Sequence, residues 1–270
     1  MSSGAPARPV AASSTGSPPS AARSVGSRSG HPPFAWEDQA TWKPALEGVD
    51  RVYIVHPDPF QPDYAEQIGA LAQTAADCGT RRLVLLSGRG DSVSQASEEN
   101  VKVAGVEWTV VRAGWFNQNF SEAFFLDAIR AGKLALPAGD WTEGFVDADD
   151  IADVAVAALT EDRHHGKTCE LSGPRLLSFA DIAAELSAAT GRRITYTVLI
   201  PETSPGDEPG FAEVFASDPT APHRQLAHGV QEALGHGPKD FSQYARETAA
   251  TGIWNACPPP SRAAAQAARL

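Results

Sequence analysis

An α/β fold, a parallel sheet with helices on both faces, is predicted by three observations. Apolar runs without polar alternation recur along the chain, as strands buried on both faces require. Stretches with apolar residues at helical spacing stand between them. The loops that follow the strands, at His56–Asp58, Ser87–Gly90 and Ala113–Phe116, are short and stand where such sheets bind ligands.

Each element has its own signal. Asp50-Arg-Val-Tyr-Ile-Val-His56 is a strand. Pro62 to Cys78 repeats Ala65, Ile68, Leu71, Ala72 and Ala75 at helical spacing and stops at Gly79, a natural C-cap. Arg82 to Ser87 is a continuous apolar strand, Ser94 to Ala104 a helix stopped by Gly105, and Glu107 to Arg112 the next strand. Asp147 sits where an N-cap belongs, with Asp149 and Asp150 in the first turn of a helix reaching Leu159. Cys169 to Gly173 is a late strand, Ser178 caps a helix to Ala189, and Arg193 to Leu199 is a strand. Thr203 to His223 is rich in Pro, Gly and Asp around a short apolar patch at Phe211, Val214 and Phe215, and a last helix spans Asp240 to Trp254.

Bulk properties narrow the function. A chain of 270 residues, 42% hydrophobic, can bury one core and a small second lobe. The net charge of −11 gives a nucleic-acid partner no electrostatic support. No apolar run approaches the ~20 residues of a bilayer span, and no secretory leader is recognisable, so a cytoplasmic protein is expected. Cys78, Cys169 and Cys257 lie far apart and form no C-x-x-C pair, against a disulfide framework or a structural zinc.

Residues 1–33 are almost wholly Ser, Ala, Pro, Gly and Arg, with Val10 and Val25 the only branched aliphatics. This segment is expected to be disordered or the degenerate remnant of a first βα unit. Residues 34–175 should form a nucleotide-binding domain, 176–255 a substrate lobe, and 256–270 a loose tail.

The run Phe34-Ala-Trp-Glu-Asp with Thr41-Trp42, then Val52 to Val55, Leu83 to Ser87, Thr109 to Asn119, Gly144 to Ala152 and Leu171-Ser-Gly-Pro174, resembles the NmrA-like atypical short-chain dehydrogenase/reductases. Bacterial relatives of festuclavine dehydrogenase, in the ergot-alkaloid reductase group, are the most similar in pattern. The resemblance covers roughly residues 34–199 and resumes over 229–254. It implies a Rossmann sheet with a C-terminal substrate lobe, NADP or NAD as cofactor, and either reduction of a small, secondary-metabolite-type substrate (unsaturated or imine) or redox-sensing binding. Carried over by position, Arg28 and Ser29 in Gly26-Ser-Arg-Ser-Gly30 would meet the adenosine 2′-phosphate. His56 and Pro57 would border the adenosine, and Ser87, Gly88 and Arg89 the nicotinamide ribose. Trp115, Phe116 and Asn119 would line the nicotinamide and, with Phe145, the substrate.

Two departures stand beside it. No G-x-x-G-x-x-G or G-x-G-x-x-G turn occurs, so the backbone cradle for a pyrophosphate is missing. No Tyr-x-x-x-Lys pair occurs either: four residues after Tyr53, Tyr64, Tyr196 and Tyr244 stand Pro57, Ile68, Ile200 and Thr248. No proton donor is therefore assigned, and no metal site: the Asp147 cluster reads as helix capping, His164-His165 as a surface loop. Two functions remain open, an NAD(P)H-dependent oxidoreductase and a cofactor-independent or non-catalytic Rossmann-like binding protein that has lost its phosphate loop.

Overall fold

The protein is described here from a computed structural model. The structure describes residues 33–59, 61–90, 92–103, 105–122, 124–199, 215 and 224–255, together with two strands at 10–13 and 23–25. In chain order the strands are β1 Val10–Ser13, β2 Arg23–Val25, β3 Arg51–Ile54, β4 Arg82–Gly88, β5 Glu107–Ala113, β6 Lys133–Leu136, β7 Thr142–Glu143, β8 Lys167–Leu171, β9 Leu177–Ser178 and β10 Thr195–Val198. The helices are α1 Trp42–Leu46, α2 Tyr64–Asp77, α3 Ser92–Glu98, α4 Leu126–Arg130, α5 Ala148–Thr160, α6 Phe179–Thr190, α7 Gly229–Leu234 and α8 Phe241–Ala250.

The central sheet has the order β2-β1-β3-β4-β5-β8. From β3 to β8 every pairing is parallel. Leu83 and Leu85 of β4 enter one apolar cluster with Ile68 and Leu71 of α2, while Val84 between them enters another with Val154 and Ala158 of α5. Successive side chains point to opposite faces, and both faces are covered; that is why these strands show no alternation.

β1 and β2 lie in the segment expected to be disordered or degenerate. β1 pairs with β3 antiparallel, Ser13 opposite Arg51, and β2 pairs with β1 antiparallel. The position beside β3 is thus filled by a strand running against the rest. Its C-terminal residue lies at the start of β3, at the edge opposite the loops that follow the parallel strands.

Helix ends follow local chemistry. Asp147 N-caps α5 by accepting from Asp149 N, as its sequence position predicts. Ser178 and Asp181 form a reciprocal capping box at α6, and Gly191 ends that helix with a left-handed φ of 65°. α3 is shorter than expected, closing at Glu98, and α8 closes at Ala250. His164 corrects the surface-loop expectation. It is buried beneath β5, its carbonyl accepting from Thr109 Oγ1, whereas His165 is exposed.

A second apolar cluster forms beyond the sheet, from Phe120, Phe125, Trp141, Phe145, Phe179, Phe241 and Trp254 among others. Trp254 closes it, its indole N–H donating to Phe120 O at 2.7 Å. Among the described residues no helix is long and apolar enough to cross a membrane, and no His/Cys/Asp/Glu group could hold a metal.

Candidate active site

The ends of β4, β5 and β8 bring three loops together. β4 ends in Ser87 and Gly88, level with Arg112 and Ala113 of β5. Beyond β5, Gly114 N donates to Leu171 O at the end of β8. Gly173 is held to Gly144 by a backbone hydrogen bond, and a Cβ there would stand 2.1 Å from Phe145 O, so only glycine lets these chains meet.

Ser87 and Arg89 are anchored in a charged network. The Ser87 hydroxyl donates to Glu98 Oε1 at 2.7 Å. Arg112 forks onto the same carboxylate through Nε at 2.9 Å and reaches Glu170 Oε1 with Nη1 at 2.6 Å. These bonds hold the Arg112 guanidinium well above its usual range. Arg89 reaches Glu170 Oε2 at 3.3 Å and Gln225 O at 3.0 Å. A charged residue within an apolar strand, as Arg112 is within Thr109-Val-Val-Arg-Ala113, signals such partners.

The aromatic motif after β5 is divided by the pleat. The Trp115 ring joins the lobe cluster, 5.3 Å from Trp141, 6.4 Å from Phe145 and 5.9 Å from Phe215. Phe116 packs on the opposite side, against the cluster under α5, and bridges to Val146. Phe145 is 1% exposed and lies wholly within the aromatic group. Asn119 donates its backbone N–H to Phe116 O. Asn117 is fully buried: its Nδ2 reaches Asp147 Oδ2 at 3.2 Å, and its Oδ1 accepts from no donor among the described residues.

His56 lies beyond β3. Its Nδ1 accepts from Asp58 N at 3.1 Å, which places the proton on Nε2, facing Gln67 Oε1 at 3.2 Å. Its ring packs 4.4 Å from Trp36 and 5.0 Å from Tyr64, while Pro57 is exposed. Arg28 and Ser29 lie outside the described residues. The structure therefore brings Ser87, Gly88, Arg89 and Trp115 to one place and leaves His56 and Pro57 at the end of β3.

One acid in this place has no signal in the sequence. Glu143, on β7, is 4% exposed. Its Oε1 accepts from Gly144 N at 3.1 Å, and a Cβ on Gly114 would come within 2.8 Å of that oxygen. Burial raises its pKa to about 7, against the opposing pull of Arg89, the Gly144 N–H and Arg224. The Arg224 guanidinium lies 5.1 Å from the Trp141 ring centroid. Two depressions among the described residues lie elsewhere: one of about 330 Å³ between Ala189 and Trp254, one of about 340 Å³ at the start of β4 and β5.

Comparison with known proteins decides the family. No family model matches the chain. An NAD(P)H azoreductase of Xenophilus azovorans is 32% identical, over 76% of this chain and 78% of that protein. The chain belongs to the NmrA-like atypical short-chain dehydrogenase/reductases. Within this family, agroclavine dehydrogenase of Claviceps fusiformis is 30% identical over 85% of this chain and 89% of its own length. The solved structure of NmrA, a negative transcriptional regulator in complex with NADP, shares the fold at a TM-score of 0.59. It is 19% identical and covers 79% of this chain and 78% of that one. The Rossmann-like architecture expected from the sequence is thus found.

Proposed function

We propose that this chain is an NAD(P)H-dependent oxidoreductase reducing a small, apolar, planar substrate. The observation that carries the reading is the junction at the ends of β4 and β5. There Ser87 to Arg89, held rigid by Glu98 and Glu170, face the loop Gly114–Trp115 and the aromatic lobe, in a chain 32% identical to an NAD(P)H azoreductase. The residues fit the nicotinamide half of the cofactor. Gly88, half-buried at the end of β4, offers bare backbone beside the half-buried Arg89 and Trp115. Ser87, Gly88 and Arg89 would hold the ribose side, and Trp115 and Asn119 the nicotinamide and substrate; Phe116, across the pleat, and the enclosed Phe145 would back that wall from within. When bound, a reduced nicotinamide supplies hydride; the protein contributes orientation and a water-poor surface.

Residues 34–175 are assigned to the cofactor half and 176–255 to the substrate lobe. The lobe's apolar cluster also draws on Phe120 to Phe145, so the two halves share one wall. Arg28 and Ser29 are assigned to a 2′-phosphate on the family resemblance alone.

The second reading, a binding protein without catalysis, is favoured by β1. An antiparallel strand in that position directs no helix N-terminus toward a pyrophosphate. Titration of the purified chain with NADPH and NADH, followed by nucleotide fluorescence, separates the two. Saturable binding with oxidation of the nucleotide by an azo or quinone acceptor supports the enzyme. No binding at millimolar nucleotide leaves the second reading standing.

A further inference from the structure

We propose that Glu143 is the proton donor of this site, a role that rests on the oxidoreductase reading. Four geometric facts meet at its carboxyl. It lies at the C-terminal end of the parallel strands, against Gly114, where a nicotinamide and substrate would meet. Among the described residues it forms no ion pair, unlike Glu98 and Glu170. Its carboxyl accepts a hydrogen bond from the adjacent Gly144 N–H. Trp141 and Phe145, two residues to either side, belong to the aromatic wall.

A buried carboxyl with so little compensation is costly to keep charged, and such groups gather at reactive sites. The charges facing it are Arg89, from the end of β4, and Arg224, beside Trp141. β9, which pairs with β7, brings Leu177 and Ser178 and no charge. With a pKa of about 7, roughly half of the carboxyl groups hold a proton at neutral pH. Once the proton has left, the two guanidinium groups and the Gly144 N–H stabilise the carboxylate.

The chemistry balances with the nucleotide as reductant. A C=N, N=N or conjugated C=C bond accepts hydride at one atom, and its π electron pair moves to the partner atom. That atom takes the Glu143 proton, the carboxyl O–H bond breaks, and the carboxylate regains a proton from water. The role belongs to the Tyr-x-x-x-Lys pair in typical short-chain dehydrogenases, and this chain lacks that pair.

The test compares wild type, Glu143→Gln and Glu143→Asp, with thermal melts confirming that each is folded. Acceptors are a panel of azo dyes, quinones and cyclic imines with NADPH. Turnover by wild type falls as pH rises through about 7. Glu143→Gln retains NADPH binding by fluorescence but loses about 10²-fold or more in turnover together with that pH limb, and Glu143→Asp recovers the limb. On the nucleotide-free protein, the infrared carbonyl band of a protonated carboxyl disappears through the same pH range in wild type and is missing in Glu143→Gln. Wild-type turnover and an unchanged pH profile in Glu143→Gln overturn the donor role and leave the oxidoreductase reading intact. So does loss of NADPH binding in that variant, which would make the carboxyl part of the cofactor seat. Absence of NADPH binding or oxidation in wild type removes the oxidoreductase reading and the donor with it.

Discussion

The two ends of β4 and β5 solve the same problem differently. At the start of these strands Arg82, with a side chain 6% exposed, bonds Glu107, Asp162 and Leu159 O. Its acids stand in water, 44% exposed at Glu107 and 95% at Asp162. At the other end the acid is the buried partner: Glu98 is 7% exposed and is held by Arg112 and Ser87. Glu143, at the same end, forms no ion pair among the described residues. Buried guanidinium groups with solvated acids tie the ends of strands together. A buried acid, by contrast, stays charged only while its guanidinium partner is held in place.

The largest effect should come from Arg112→Met. It leaves Glu98 buried with only Ser87 to bond, a loss of about 3–5 kcal/mol in urea unfolding. A loss below about 1 kcal/mol would show that the two ends are energetically alike. Next is the pH dependence of stability. Glu143 carries a proton more readily folded, at about 7, than unfolded, at 4.5, so its contribution is complete below the lower value. It is lost as pH rises between the two, by about 3 kcal/mol in order of magnitude. Glu143→Gln should flatten that part of the profile; an unaltered slope would place the titration elsewhere. The smallest effect belongs to Arg82→Leu. Because Glu107 and Asp162 rehydrate when released, about 1–2 kcal/mol is expected, and a loss equal to that of Arg112→Met would erase the contrast.

The sheet was legible in the sequence wherever burial on both faces left continuous apolar runs, as in Leu83 to Leu86. So were the caps at Asp147 and Ser178, whose side chains bond locally. β6, β7 and β9 span two to four residues and have no period to read. β1 and β2 escaped notice because their pairing uses backbone groups, which Ala, Ser and Val offer equally. Glu143 escaped for a different reason. Nothing in Trp-Thr-Glu-Gly-Phe tells that the glutamate turns inward, since the cause is the bare Gly114 some thirty positions earlier. The separation of Trp115 from Phe116 follows from the two-residue pleat carried past the end of β5. Their adjacency in sequence hid it.

β1 carries one more consequence. A peptide ladder closes in either direction, so the flank of β3 can be shielded by a strand of reversed polarity and undistinguished composition. Shielding and nucleotide recognition, united in one segment when the first strand runs parallel into a glycine turn, are here uncoupled. Selection on the fold alone would then leave that segment free to drift, and a drifted terminus is no measure of whether the opposite half of the cleft still works.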